Sequence, residues 1–506
     1  MNRIWSLALC LLLVMSLLCG CSGNDIIFRP GDGFAGDPTD PHPGITTPET
    51  PAAALAYYPD RGLNPFRTTD PTNRTLFSLI YQGLFTVSSD YTCSPILCRS
   101  FNVSADSMTY TFHLEEAIFS DGTPLTAADV AASLNAAMES PWYGSRLQQI
   151  KTVTTYGETV VLELHIPMEN LPILLDIPIV PASQVASDAP LGTGPYRLDG
   201  NQLRRHAGWW CSAELAVNTD LIPLVQADSI SQIQDAFNFR NISLVCTDPA
   251  ARDRAPFHGD YELWNVESGL FLYLVCNKNS KVLNNETLRA ALTHAIDRQS
   301  LVTNWYHGFA QSASLPCSPQ APFYNDSLAA DYAHAPDKFR AALEAAEITP
   351  GELVLLLNAD DPLRMNVGRS IAAMLEEYGF TVTITKATGE NFSKLLKKGD
   401  YDLYLAQTRL SANMDLSAFF RKNGSLSYGG LENASLLDLN HSALANAGNY
   451  YSLYEKIMND GRLCPLLFQS YAIYSQRGAH EGLAPARDSV FYYDLGRTIT
   501  DALMAQ

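Results

Sequence analysis

The chain has 506 residues, 46% of them hydrophobic, enough to bury two substantial cores, so two lobes or domains are expected. Its formal net charge is −19 at pH 7. That balance, with no cluster of Lys and Arg to offset it, counts against nucleic acid and anionic lipid surfaces as partners, since both reward basic patches.

In chain order, Arg3 precedes an apolar run from Ile4 to Leu18, followed by "LCGC" at Leu18–Cys21. This is the layout of a secretory leader, and the run is shorter than the ~20 residues that span a bilayer. Its end resembles the lipobox of bacterial lipoproteins, which implies cleavage after Gly20 and lipidation of Cys21. Of ten cysteines, Cys10 and Cys19 would leave with the leader and Cys21 would carry lipid. The remainder is odd, so at least one thiol stays free unless it pairs between chains. Cys93 and Cys98 are near enough in sequence for a small surface disulfide, whereas Cys246 and Cys276 lie in apolar runs and read as small core residues. There is no CxxC and no Cys/His cluster of zinc spacing, so no metal or cofactor is expected. From Ser22 to about Ala56 the chain is rich in Pro, Gly, Thr and Asp and reads as a disordered tether.

The folded body begins near "LAYYPDRGLNP", with Leu76, Leu79, Ile80 and Leu84 at helical spacing behind it. In "YTFHLEEAIFSDGTPLTAADVAASL", Tyr110, Phe112 and Leu114 alternate with Thr111 and His113 and predict a half-buried strand ending near Ala117. Ser120–Thr123 supply turn chemistry, and Thr126 with Asp129 form a capping box for a helix that buries Val130, Leu134 and Ala137. "TVVLELHIP" predicts another strand, and "LGTGPYRLDG" a turn into a strand. "FLYLVCNKN" reads as a buried strand, followed by one core helix carrying Leu288, Ala291, Leu292, Ala295 and Ile296. Between Gly351 and Gln407 strand, helix, strand, helix and strand alternate, which implies βαβ units on a mostly parallel sheet with its own core. "CPLLFQSYAIYSQRG" predicts a final long strand that can cross back to the first lobe.

Catalytic constellations are missing. There is no G-x-S-x-G elbow, S-x-x-K pair or H-E-x-x-H helix, and "HEGLA" at His480 lacks the second His. Glu115-Glu116 and Asp360-Asp361 lie beside turns as solvated carboxylates, and "GTGPY" lacks the helix and Lys of a phosphate loop.

"YTFHLEEAIFSDGTPLTAADVAASL", "LGTGPYRL", "LYLVCNKNSKVLNNETLRAALTHAIDRQSLV", "LPCSPQAPFYN" and "YDLYLAQ…SAFF" resemble, in this order, the landmarks of family 5 extracellular solute-binding proteins. These are the oligopeptide, dipeptide and nickel type of ABC-transporter receptor. The resemblance runs from about Tyr57 to Gly482. It implies an α/β, two-lobed periplasmic-binding-protein-like fold of type II, in the large cluster with an inserted subdomain, with mixed sheets and a hinge between lobes. Residues 1–20 would be the signal peptide and 21–56 the lipidated Cys and tether. Lobe I would occupy 57–270, with its inserted subdomain at about 73–165. Lobe II would occupy 271–465, and 466–506 would return to lobe I. It implies a receptor and no enzyme: a monomer anchored by lipid on the extracytoplasmic face of the cell membrane, capturing an oligopeptide or peptide-like solute between lobes and delivering it to an ABC permease. A metal chelate or other non-peptide solute, a signalling peptide, and a secreted hydrolase on the same fold are the other readings.

In peptide-binding members, a loop of the second lobe carries an aromatic residue and then an Asp for the ligand amine. Counted from Tyr401-Asp402, these positions hold Thr408 and Ser411, so the carboxylate is missing unless Asp415 replaces it. Arg409 suits a carboxylate or phosphate through a bidentate contact, or forms an ordinary salt bridge. Tyr57, Asp60 and Arg61 lie where members present an extended edge to the ligand. Trp142 and Tyr143 match a region bordering it, where lid packing is the alternative.

Overall fold

A computed structural model describes residues 54–212, 220–249 and 257–479. The leader, Cys21, most of the tether and His480 lie outside the described residues.

Strand β1 (Leu55–Tyr57) enters a large mixed sheet. Asp70 then caps a short helix, Pro71–Arg74, accepting from Thr72 N at 2.9 Å and Asn73 N at 3.2 Å. The predicted single helix around Leu76–Leu84 is instead this turn and a second one, Phe77–Ile80. The reason is a distant segment: Gly194 N donates to the Ile80 carbonyl at 2.9 Å, and the "GTGPY" turn lies against that backbone. A Cβ on Gly192 would fall 1.9 Å from Ile80 O, which explains the glycine.

Strands β2 (Phe85–Val87) and β3 (Cys93–Pro95) form a two-stranded ribbon. β4 (Cys98–Val103), β5 (Thr109–Leu114), β6 (Ile150–Tyr156) and β7 (Thr159–Leu164) form an antiparallel sheet in the order β4-β5-β7-β6. β5 stops at Leu114, three residues before the predicted end. Thr126 and Asp129 form the capping box of the helix Ala127–Met138, whose Val130, Leu134 and Ala137 are fully buried. Cys93 and Cys98 are separate thiols, pushed up to about 12 and about 11 chiefly by burial, and Cys246 and Cys276 are buried as expected.

β8 (Tyr196–Leu198), β9 (Gln202–Arg205), β10 (Leu221–Gln226) and β11 (Leu244–Thr247) return to the large sheet, where β1 lies between β10 and β11 and runs parallel to both. β12 spans Tyr261–Cys276, longer than predicted. The single helix predicted after it is α-helical only over Glu286–Ala291; a 3-10 turn covers Leu292–Ala295 and Ile296 is extended. Past this end Arg298 donates to Thr293 O at 3.0 Å and Ile296 O at 3.4 Å, carbonyls a continuing helix would use, and to the distant Pro465 O at 2.8 Å.

After the short β13 (Ala310–Ser312), the predicted βαβαβ block is present. β14 (Glu352–Asn358), β15 (Thr381–Ala387) and β16 (Leu403–Arg409) are parallel, with helices Pro362–Glu376 and Gly389–Lys398 between them. β17 (Leu463–Gln476) is the predicted last strand. The large sheet has the order β15-β14-β16-β12-β17-β11-β1-β10-β9-β8, with β13 on β17.

β12 and β17 therefore belong to two halves. Leu270–Cys276 of β12 pair with β16, and Ala472–Ser475 of β17 pair with β11. Between those stretches β12 bulges at Ser268-Gly269, where Gly269 has φ of 71°. One buried core fills the βαβ half around Leu274, Leu355 and Leu405; a larger one spans the antiparallel sheet and its surroundings.

Candidate functional site

In open sheets with parallel strands, ligands bind beyond the carboxyl ends of the strands, where side chains and helix N-termini converge. Two such sets of ends exist here.

At the first, β1 runs into Tyr58–Arg61, β10 into Asp228-Ser229 and β11 into Asp248-Pro249. All of these but Pro59 and Asp60 line a cavity of about 630 Å³, together with Asp70, Phe257 and Tyr474. The helix Ile230–Asn238 starts there, with Ser229 as its cap. Arg61 is ion-paired with Asp70, and its guanidinium carbon lies 3.8 Å from the Tyr58 ring centroid. Among the described residues, the cavity holds one cation against three carboxylates, and Asp248 accepts from Gln469 Nε2 at 2.6 Å. Of the sequence candidates, Arg61 lines this cavity; Tyr57 is buried at the end of β1 and Asp60 is exposed beside it.

At the second, β16 ends in Thr408 and Arg409. Thr408 is half-buried opposite Phe271 of β12. Arg409 donates to the Ser268 carbonyl in the β12 bulge and to Tyr471 Oη at 3.1 Å. Burial raises Tyr471 above its usual range, with Arg409 opposing, so the phenol stays neutral and can accept. The Arg409 guanidinium carbon lies 4.0 Å from the Trp142 ring centroid, and that of Arg74 lies 3.8 Å from it. Two groups so close to one centroid leave room for one on each face. Arg74 also donates to Tyr143 Oη at 3.0 Å and Thr68 O at 3.2 Å. Trp142 and Arg409, far apart in sequence, are thereby brought together, with Tyr143 joined to them through Arg74.

Ser411 points inward, donating to Asn413 Oδ1 at 2.7 Å. Asp415 accepts from Ser417 N and Asn440 Nδ2 at 2.8 Å on one oxygen, and from Gln149 Nε2 at 3.0 Å on the other. Its carboxylate binds the Trp142–Gln149 segment to the loop after β16, so it has an internal role that the sequence did not show. His441 beside it is lowered by burial, with Asp415 opposing.

Sequence reasoning missed Arg74, Gln149, Asp228 and Asp248. The two aspartates carried a legible signal, since each follows an apolar strand-like run, "LIPLVQAD" and "ISLVCTD". Arg74 and Gln149 carry none.

The chain matches the model of bacterial extracellular solute-binding proteins, family 5, over residues 92–427. It belongs to that family, whose members are extracellular solute-binding proteins. Among curated proteins it is 28% identical over 293 residues to the glutathione-binding protein GsiB of Shigella boydii, covering 52% of this chain and 55% of that one. It is 26% identical over 336 residues to a putative ABC transporter peptide-binding protein of Brucella ovis, covering 60% and 62%. The chain spans about half the length of the first of these. Among solved structures, a putative peptide binding protein AppA from Clostridium difficile has a TM-score of 0.71 at 17% identity, covering 88% of this chain and 99% of that one. NikA from Brucella suis in complex with Fe(III)-EDTA has 0.65 at 19%, covering 85% and 96%. The fold is the two-lobed, type II solute-binding fold of this family.

Proposed function

We propose that the chain is the solute-binding receptor of an ABC importer and that its ligand is a peptide-like zwitterion. The observation that carries this reading is the pair of oppositely charged sites at two sets of parallel strand ends. The cavity lined by Asp70, Asp228 and Asp248 suits an amine by its charge, and Arg409 suits a carboxylate by the donor geometry of a guanidinium. We propose the amine site at the first set of ends, where Asp228 lines the cavity, because Asp415 accepts three internal donors from Gln149, Asn440 and Ser417. Relatives named for glutathione and peptide binding support the ligand class.

Ligand that contacts both halves favours their closed arrangement by its differential contacts, and the closed receptor docks on its permease without catalysing a reaction. The ligand contacts are proposed among Tyr57, Asp60, Arg61, Trp142, Tyr143, Thr408, Arg409 and Ser411, with Asp415 supporting them. The proposed organisation is leader 1–20, lipidated Cys21 and tether to 56, lobe I at 57–270 with a subdomain at about 73–165, lobe II at 271–465, and a return to lobe I. Lipid on Cys21 would hold a monomer at the membrane and raise its concentration at the permease.

The test is mass spectrometry of small molecules released by gentle denaturation of the purified protein, followed by titration with what is found. Short peptides with micromolar or tighter affinity support the reading. Recovery of a metal chelate or a non-zwitterionic solute overturns the ligand class and keeps the receptor.

A further inference from the structure

Two hydroxyl groups beside the first set of strand ends are left without a hydrogen-bond partner. Tyr58 is 2% exposed and Thr72 is 5% exposed, and both line the cavity there. Each is held by its backbone. Tyr58 N donates to Asn73 Oδ1 and Asn73 Nδ2 donates to Tyr58 O, both at 2.8 Å, and Thr72 N donates to Asp70 Oδ1 at 2.9 Å. Among the described residues neither hydroxyl is bonded, and neither is sealed inside protein, so both open on the cavity. Buried polar groups are nearly always satisfied, which makes two such hydroxyls on one cavity wall the sign of a polar occupant.

The surrounding charges indicate its kind. Burial, with Asp70 and to a lesser degree Asp228 adding to it, pushes the Tyr58 phenol up to about 12, so it stays an intact hydroxyl whose oxygen can accept. Arg61 is ion-paired with Asp70, whereas Asp228 is exposed at the cavity and has no ion-pair partner among the described residues. A primary ammonium carries three N–H donors and no acceptor. Asp228 answers its charge, but a single carboxylate on one side leaves donors unpaired, and a desolvated, unpaired donor is costly.

We propose that Tyr58 and Thr72 determine specificity at the amine site: their hydroxyl oxygens complete, with the Asp228 carboxylate, a set of three acceptors for a primary ammonium, so that the receptor selects solutes whose amino group is unsubstituted. This rests on the reading of the cavity as the site of the ligand's amine. The carboxylate attracts any cation, and the two hydroxyls distinguish an ammonium with three N–H bonds from one with fewer.

The experiment incubates the purified full chain with a pool of tripeptides in three forms, free at the amino end, N,N-dimethylated and N-acetylated, and reads the retained ratios by mass spectrometry. Dimethylation keeps the positive charge and leaves one N–H, whereas acetylation removes the charge. The wild-type protein is expected to enrich free over dimethylated peptides by about tenfold. Tyr58→Phe, which keeps the ring beneath Arg61, and Thr72→Val, which keeps the side-chain shape, should each lower that ratio by about threefold. Together they should bring it close to one and retain the preference over acetylated peptides. If the double variant does not fold, the two single variants still read the ratio. Exclusion of the methyl groups by size alone, or a purely structural role for the two residues, would leave the ratio at its wild-type value in both variants and overturns the inference. A wild type that prefers free over acetylated but not over dimethylated peptides also overturns it and leaves the amine reading standing. Equal retention of all three forms, or of none, overturns the amine reading and this inference with it.

Discussion

The molecule presents two sets of parallel strand ends, and they are built in opposite ways. β14, β15 and β16 follow one another in the chain as βαβ units within residues 352–409, whereas β1, β10 and β11 come from Leu55–Tyr57, Leu221–Gln226 and Leu244–Thr247. The first kind of edge is held by local crossovers, the second by contacts between segments far apart in the chain. Damage to cross-segment contacts should therefore cost most in the half around β1, and the same kind of change should be better tolerated in the βαβ half.

Two glycines test this directly. In Gly192→Ala the new Cβ meets the Ile80 carbonyl oxygen at 1.9 Å, a backbone atom that cannot move without displacing the Phe77–Ile80 turn. The expected loss is about 3 kcal/mol or more in denaturant unfolding. In Gly368→Ala, inside the helix Pro362–Glu376, the Cβ meets the branched tip of Leu357 at 2.5 Å. That side chain can change rotamer, and Ala gains about 1 kcal/mol of helix propensity, so the net change should stay within about 1 kcal/mol. Equal losses in the two variants would sink the comparison.

Next in size is the contact from Gln149 to the loop after β16. Asp415→Ala leaves the Gln149 and Asn440 amides and the Ser417 N–H without their acceptor, at an expected cost of about 1–3 kcal/mol. Asp415→Asn keeps one acceptor oxygen and should recover part of it. A thermal midpoint unchanged in Asp415→Ala would show that the bridge carries no stability.

A pH titration reaches both halves with a smaller effect. His206 in the first half and His294 in the second are both lowered below their ordinary 6.5, chiefly by burial; Arg197 adds to this for His206, and the Ala333 carbonyl opposes it for His294. Below that value the unfolded chain takes up protons the folded one resists, so stability present above pH 6.5 should fall as pH drops through 6.5 and below. Thermal midpoints at pH 7 and pH 5 read the loss, and His294→Gln should reduce it. Smallest of all should be Lys151→Ala, which removes an exposed pair with Glu163 at 3.5 Å and should change stability by less than about 0.5 kcal/mol.

The contrast between the two sets of ends also accounts for what could be read in advance. The capping box at Thr126 and Asp129, the alternation of Tyr110, Phe112 and Leu114, and the strand–helix order of 352–409 are local patterns, and each became the element it predicted. The helix misread at Leu76–Leu84 and the helix that stops at Ala291 failed for one reason. Both are bent to distant segments: Gly194 N claims the Ile80 carbonyl, and Arg298, which takes the Thr293 and Ile296 carbonyls, is itself anchored to Pro465 O. Within the site, residues that sit at strand ends had a signal, whereas Arg74 and Gln149 matter only through their partners Trp142 and Asp415.

Taken alone, the sequence determined the α/β pattern, because hydrophobic period, turn chemistry and caps act over a few residues, and the resemblance of its ordered segments to a known family pointed to the class of the protein. Only the tertiary structure decided which charges line the cavity and which are engaged internally. It set Asp228 and Asp248 around one cavity, occupied Asp415 with amide donors, and placed Trp142 between Arg74 and Arg409. Burial and pairing decide whether a charged side chain is available to a ligand, and both depend on residues that are hundreds of positions apart in the chain.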